Sequence, residues 1–198
     1  MFHAFINDAK NFIVNVLLVK FYDTFILGQF YMVNRILLLP VGLIGGSISQ
    51  VLFRVYSEKY NKKQDFSKDV LTIIIKLFLF GLIPFFIIFF LGNEIFTLVF
   101  GENWGVAGDL ASAYALYVLF HFVASPISII PLIVKKQLEA FYWNIGGATI
   151  YVTSMIIGYL LFDEFKEILL FLSISMSIYF LFSFRWVYNI SKLIQGNS

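Results

Sequence analysis

The chain has no cysteine, which excludes disulfides, thiolate metal sites and a cysteine nucleophile. Charge is also scarce. Only 13% of residues are Asp, Glu, Lys or Arg, where soluble domains carry about a quarter. The net charge is +2 with no basic cluster beyond one loop, so a nucleic-acid partner is excluded. No H-E-x-x-H, Walker A, G-x-S-x-G or aspartate-x-aspartate pattern occurs, so no catalytic residue, metal ligand or cofactor is expected. No Pro/Gly/Ser-rich linker divides the chain, and a single domain without a soluble part is the simplest organisation. The N-terminal MFHAFINDAK lacks a basic region and a small-residue cleavage site, so it does not read as a cleaved signal peptide.

Apolar residues are what the chain has in excess: 60% of the total, with a mean hydropathy of +0.87. A compact soluble domain of this composition would leave too much apolar side chain in water. Lipid must be the solvent for much of it, which excludes a soluble enzyme. Crossing a bilayer of roughly 30 Å takes about 20 largely apolar residues in a helix. Five stretches meet that need: Ile36–Phe53, Leu77–Gly92 extended by Val70–Lys76, Leu110–Val134, Phe141–Phe162 and Ile168–Phe184. Phe2–Val19 is a sixth, weakened by Asn7, Asp8, Lys10, Asn11 and Asn15. Runs this long and continuous do not suit barrel strands, and in lipid the helix is the other backbone that satisfies its own polar groups. The expectation is an all-α, polytopic membrane bundle of about six helices, at roughly 2–19, 31–56, 70–91, 108–134, 141–162 and 168–187.

Charge asymmetry orients the bundle. If six helices alternate, Arg54, Lys59, Lys62, Lys63, Lys68, Lys135, Lys136, Arg185 and Lys192 fall on one side, against Lys20 and Lys166 on the other. Nine against two places both termini in the cytoplasm by the positive-inside rule. Trp104, Trp143 and Trp186 stand near proposed helix ends, where tryptophan anchors a helix at the headgroup level. The lysines of the Glu58–Asp69 loop read as a solvated orientation signal that can also meet anionic lipid headgroups, and Ser67 reads as the N-cap of the third helix.

All four prolines, Pro40, Pro84, Pro126 and Pro131, fall inside proposed spans and are expected to kink them. Gly42 and Gly46 form a G-x-x-x-G pair, and Ala107, Ala111 and Ala115 a small stripe. Both patterns favour close helix packing in lipid. His121 reads as a packing residue, and Asp109 as a carboxylate favoured at a helix start.

Two features suit a ligand. Arg35 is a charge within a span, which is costly and usually faces a cavity or a partner. At 100° per residue Arg35, Gly42, Gly46 and Ser49 share one face, and Asn34 adjoins it. A guanidinium there can grip two phosphate oxygens at once; alternatively it snorkels to the outer headgroups. Asp8, Asn11 and Asn15 follow three- and four-residue spacing on the first helix. They either line a cavity or hydrogen-bond a neighbouring helix.

The second helix carries a pattern of Gly28, Phe30–Tyr31, Arg35, Leu39–Pro40, Gly42–Gly46 and Ser57. It is followed by Phe100, Gly101, Trp104, Ala107 and Gly108, and by Ser125–Pro126. In this order and spacing the blocks resemble the polysaccharide transporter family, the O-antigen and capsule flippases of the multidrug-exporter-like superfamily. The resemblance implies two six-helix lobes around a central cavity that opens alternately to either side, and this chain matches the second, C-terminal lobe. It implies a substrate of undecaprenyl-pyrophosphate-linked oligosaccharide and a place in the bacterial inner membrane. It also implies a partner: an N-terminal lobe from the same gene or a split subunit, or a second copy in a homodimer. The alternatives are a truncated, non-transporting relic and a membrane enzyme of the same glycan pathway.

The orientation can be checked directly, because single introduced cysteines report alone in a cysteine-free chain. Asn103→Cys and Glu164→Cys should react with an impermeant thiol reagent in intact spheroplasts, and Gln64→Cys should not. The reverse pattern contradicts the six-helix topology.

Overall fold

The computed structural model describes residues 2–192, with side chains described from residue 9 onward. Helices α1 (Phe2–Phe21), α2 (Thr24–Asn61) and α3 (Ser67–Phe100) are followed by a 3₁₀ turn at Glu102–Trp104. Then come α4 (Gly105–Ile127), the short α5 (Ile130–Ile133), α6 (Gln137–Leu161) and α7 (Phe165–Ile190). Among the described residues five helical segments are long and apolar enough to cross a membrane: α2, α3, Glu102–Ile133, α6 and α7. The chain is thus an all-α, multi-pass membrane bundle. The sixth expected segment forms as the helix α1 but is not one of the five.

Helix ends depart from the apolar limits because caps, not hydropathy, stop a helix. Asp23 caps α2, its Oδ1 accepting from the Ile26 N–H at 2.8 Å, so the helix begins at Thr24, seven residues before the expected start. At 1.5 Å per residue, the 38 residues of α2 extend about 57 Å, well beyond the hydrocarbon core. The expected cap of α3 shifts as well. Ser67 is the first helical residue and is buried, Phe66 stands at the N-cap without a side-chain cap, and Asp65 in the preceding turn accepts the Ser67 N–H at 2.8 Å. That N–H, with Lys192 and Lys68 nearby, holds the Asp65 carboxyl below its ordinary value.

The prolines act differently from expectation. Pro40 lies within an uninterrupted α2. In α3 the break from helical geometry is at Leu91 (φ −118°, ψ 16°), seven residues past Pro84. The expected continuous helix 108–134 is interrupted at Ser128–Ile129 between α4 and α5. Pro131 cannot donate to the Ile127 carbonyl, and within the same interruption Ser128 Oγ donates to the Ser125 carbonyl at 2.7 Å.

The core is built around α4, which packs against α2, α3 and α7; α6 packs on α7, and α1 on α6. In the apolar window of the α4 segment 61% of residues are buried, against 6% in α3, so α3 faces mainly outward. Small residues allow this crowding: Ala107, Ala111 and Ala115 are all buried. At the α3–α4 crossing a Cβ on Gly108 would stand 2.4 Å from the Gly92 carbonyl oxygen, and one on Gly92 2.6 Å from the Gly108 oxygen. The two backbones therefore touch. The break at Leu91 adjoins this contact, and Ser112 Oγ donates to the Ile88 carbonyl at 3.0 Å. That is the carbonyl a regular helix pairs with the Gly92 N–H. On α2 the close approach is at Gly45, where a Cβ would meet Ser125 Oγ at 2.2 Å. Gly42 and Gly46 have no atom within 4 Å of a Cβ position, so the face they share is open.

Buried Gln29 ties α2 to the start of α4. Its Nε2 donates to the Asn103 carbonyl at 2.9 Å and its Oε1 accepts the Ala107 N–H at 3.0 Å, satisfying one of the first-turn donors that a helix cannot pair internally. Ser173 Oγ donates to the Ala113 carbonyl at 2.9 Å, joining α7 to α4.

Gly108→Ala should lower stability by at least about 1–3 kcal/mol, because a backbone-to-backbone contact cannot rotate away from an added methyl. Gly46→Ala should cost nothing comparable. Melting temperatures in detergent measure both; equal values would contradict the backbone contact at Gly92–Gly108.

Candidate functional site

The open face of α2 forms one wall of a cavity of about 690 Å³, with α1 opposite and the inner ends of α4 and α6 side chains behind. Its walls hold Lys10, Asn11 and Asn15 from α1, and Asn34, Arg35 and Gly42 from α2. Tyr114, Tyr117 and Tyr151 form the back. Helical spacing accounts for the first wall: Asn11 and Asn15 are four apart and Val14 is buried between them. The Tyr31 hydroxyl donates to Asn15 Oδ1 at 2.8 Å, a polar bridge between α1 and α2. Behind them the Tyr114 and Tyr151 hydroxyls share a hydrogen bond at 3.3 Å.

Electrostatics give this cavity its character. The Lys10 ammonium stands 4.7 Å above the ring of Tyr151, a cation–π arrangement favoured by desolvation. Arg35 is exposed on the cavity wall. Among the described residues neither cation has a carboxylate within ion-pair distance; the ion pairs present are Lys59–Asp69, Lys62–Glu58, Lys136–Glu139 and Lys166–Asp109. All four lie away from the cavity. Two positive charges in a low-dielectric recess, with amides and phenols around them, form a field that attracts an anion.

Of the residues that the sequence nominates, Arg35, Asn34, Asn11 and Asn15 come together here. Asp8 lies outside the residues whose side chains are described. Pro40 and Pro84 are elsewhere, in an apolar groove of about 300 Å³ between α2, α3 and α4. Pro131 lines a separate cavity between α4, α6 and α7, where His121 stacks on Tyr117 at 5.5 Å between centroids. The asparagine stripe thus does both things open to it: Asn11 and Asn15 line the cavity, and Asn15 also bonds the neighbouring helix.

Sequence reasoning passed over Lys10 and the three tyrosines. Lys10 carried a signal, being a charge inside an apolar helix. The tyrosines carried none, since twenty per cent of the chain is aromatic and only the fold selects these three.

No curated protein and no solved structure matches the chain. Residues 1–108 match the profile of a family described as polysaccharide biosynthesis protein. The match takes in α1, α2, α3 and the first residues of α4, and with them Lys10, Asn11, Asn15, Asn34 and Arg35. It covers more than half of the chain, which therefore belongs to the polysaccharide biosynthesis protein family, in keeping with the polysaccharide transporters that its motifs resemble.

Proposed function

We propose that the chain is one lobe of a membrane flippase and that its cavity receives the diphosphate of an undecaprenyl-pyrophosphate-linked oligosaccharide. The observation that carries this reading is the pairing of Arg35 and Lys10, two cations without carboxylate partners among the described residues, on facing walls of one cavity. A diphosphate passing a low-dielectric region needs counter-charge, and a guanidinium supplies it with two parallel hydrogen bonds. Family membership supports a place in polysaccharide production; the lipid-linked repeat, its O-antigen or capsule destination and the bacterial inner membrane come from the resemblance. The reading is of a transporter, because the described residues of the cavity offer groups that would hold and orient a diphosphate.

Transport follows from the open side of this cavity. The walls belong to α1 and α2, and Gly42 and Gly46 on the same face meet no neighbour. A second lobe, or a second copy of this chain, supplies the opposing wall. Rocking of the two walls then exposes the diphosphate to one side of the membrane and afterwards to the other. The cations must bind both states with similar strength, since a ligand held far more tightly in one state stalls there.

In a complete, active transporter containing this lobe, Arg35→Ala should reduce glycan export at least about tenfold with protein abundance unchanged, the loss of one charge-assisted bidentate contact. Arg35→Lys should restore part of it, because charge survives without the planar fork. Surface polysaccharide staining beside a membrane immunoblot measures both. Normal export by Arg35→Ala would show that the arginine serves the headgroup region instead.

A further inference from the structure

The second cavity, between α4, α6 and α7, has a volume of about 420 Å³, within the range of small-molecule sites. It adjoins the first: Lys10, Tyr117 and Tyr151 line both. Its character is different. Trp143 and Trp186 lean together with ring centroids 5.5 Å apart, and Tyr179 lies 5.8 Å from Trp143. Both tryptophans, read from sequence as headgroup anchors, are half-buried and turned into this cavity. One hydrogen bond holds the Trp186 indole, and another ties Tyr179 to the backbone of α6. Trp186 Nε1 donates to Glu139 Oε2 at 3.2 Å, and the Tyr179 hydroxyl donates to the Trp143 carbonyl at 2.8 Å.

Neutral polar groups complete the walls. His121 and Ser183 line the cavity, and neither forms a side-chain hydrogen bond among the described residues. Flat aromatic faces beside unspent neutral donors and acceptors complement one class of ligand. A pyranose ring offers a face of C–H groups for stacking and a rim of hydroxyls for hydrogen bonding. An apolar chain would gain nothing from the hydroxyls and imidazole. A free anion would find only Lys10, which stands at the seam between the cavities.

We propose that this aromatic cavity is a sugar subsite, taking the glycan residue next to the diphosphate. The inference rests on the diphosphate reading of the Arg35 cavity for the identity of the ligand, and on the shared Lys10–Tyr151 seam for its path. With the diphosphate beside Arg35 and Lys10, the attached sugar passes Tyr151 and stacks against Trp143 and Trp186. His121 and Ser183 then meet its hydroxyls.

The purified chain tests this with free sugars. The only other tryptophan is Trp104, which lies in the 3₁₀ turn at the opposite end of the bundle. In a Trp104→Phe chain, fluorescence therefore reports on Trp143 and Trp186 alone. The probes are glucose, galactose, rhamnose, N-acetylglucosamine, N-acetylgalactosamine and glucuronic acid, each up to about 100 mM, which covers millimolar affinities. At least one should change the emission saturably and shield the tryptophans from acrylamide. His121→Phe combined with Ser183→Ala keeps the stacking faces and removes the polar rim, and should weaken that sugar at least about tenfold. Saturation by none of the six sugars would overturn the proposal, as would equal affinity in the double variant. The acrylamide readout needs no rim variant, so the proposal stays exposed to failure if the double variant does not fold. Export that depends on Arg35 while no sugar binds would sink the sugar subsite and leave the diphosphate reading standing.

Discussion

The touching backbones of α3 and α4 at Gly92 and Gly108 set the geometry on which everything else rests. In lipid there is no hydrophobic drive to press helices together, so contact depends on how near two backbones come. Gly108, with Ala107, Ala111 and Ala115 on the same helix, lets α2, α3 and α7 all reach α4. The contact is tight enough that α3 leaves helical geometry beside it, and Ser112 takes up the displaced carbonyl. A crowded centre on one side of α2 leaves its other side uncovered. That uncovered side is where Arg35, Asn34 and Gly42 stand.

The two faces of α2 thus divide labour. Gly45 and Gln29 face α4 and fix the helix there, one by close approach and one by two hydrogen bonds. Arg35 faces the cavity, opposite the Lys10 ammonium that Tyr151 supports from behind. Cations within a span are costly; Tyr151 offsets part of the cost at Lys10, and a bound anion would offset more. The family to which the chain belongs handles polysaccharides, and a diphosphate link between lipid and glycan is an anion of suitable size. In the proposed reading the adjoining aromatic cavity offers the neutral glycan a surface of its own, so that charge and sugar would meet separate walls.

Much of this was legible in the residues, and the exceptions have physical causes. Uninterrupted apolar runs locate α2, α3, α4, α6 and α7, because lipid imposes a minimum length that few other constraints mimic. Their ends were not legible, since Asp23 starts α2 by a capping hydrogen bond well outside the apolar window, and Asp65 holds the turn from which α3 begins. The pairing of Gly42 with Gly46 marks a helix face correctly but not what lies against it; the close contact is one residue away, at Gly45. Prolines lack a donor wherever they stand, yet the break in α3 follows the packing at Gly92 and not Pro84. Arg35 and the asparagines of α1 were readable as a polar face. Lys10 was equally readable by its cost in lipid, while Tyr114, Tyr117 and Tyr151 became distinguishable from other aromatics only through the fold. Trp143 and Trp186 sit where anchors sit along the chain, and only tertiary structure shows them turned inward.

In the proposed reading the cavity between α1 and α2 selects an anionic lipid headgroup by charge. Native mass spectrometry of the purified chain with equimolar undecaprenol, undecaprenyl phosphate and undecaprenyl diphosphate tests it most directly. Retention should rise with headgroup charge across the three lipids. That rise should flatten when Arg35→Gln and Lys10→Gln are combined, with the undecaprenol level unchanged. Equal retention of all three lipids, or a charge dependence indifferent to both substitutions, would contradict the account.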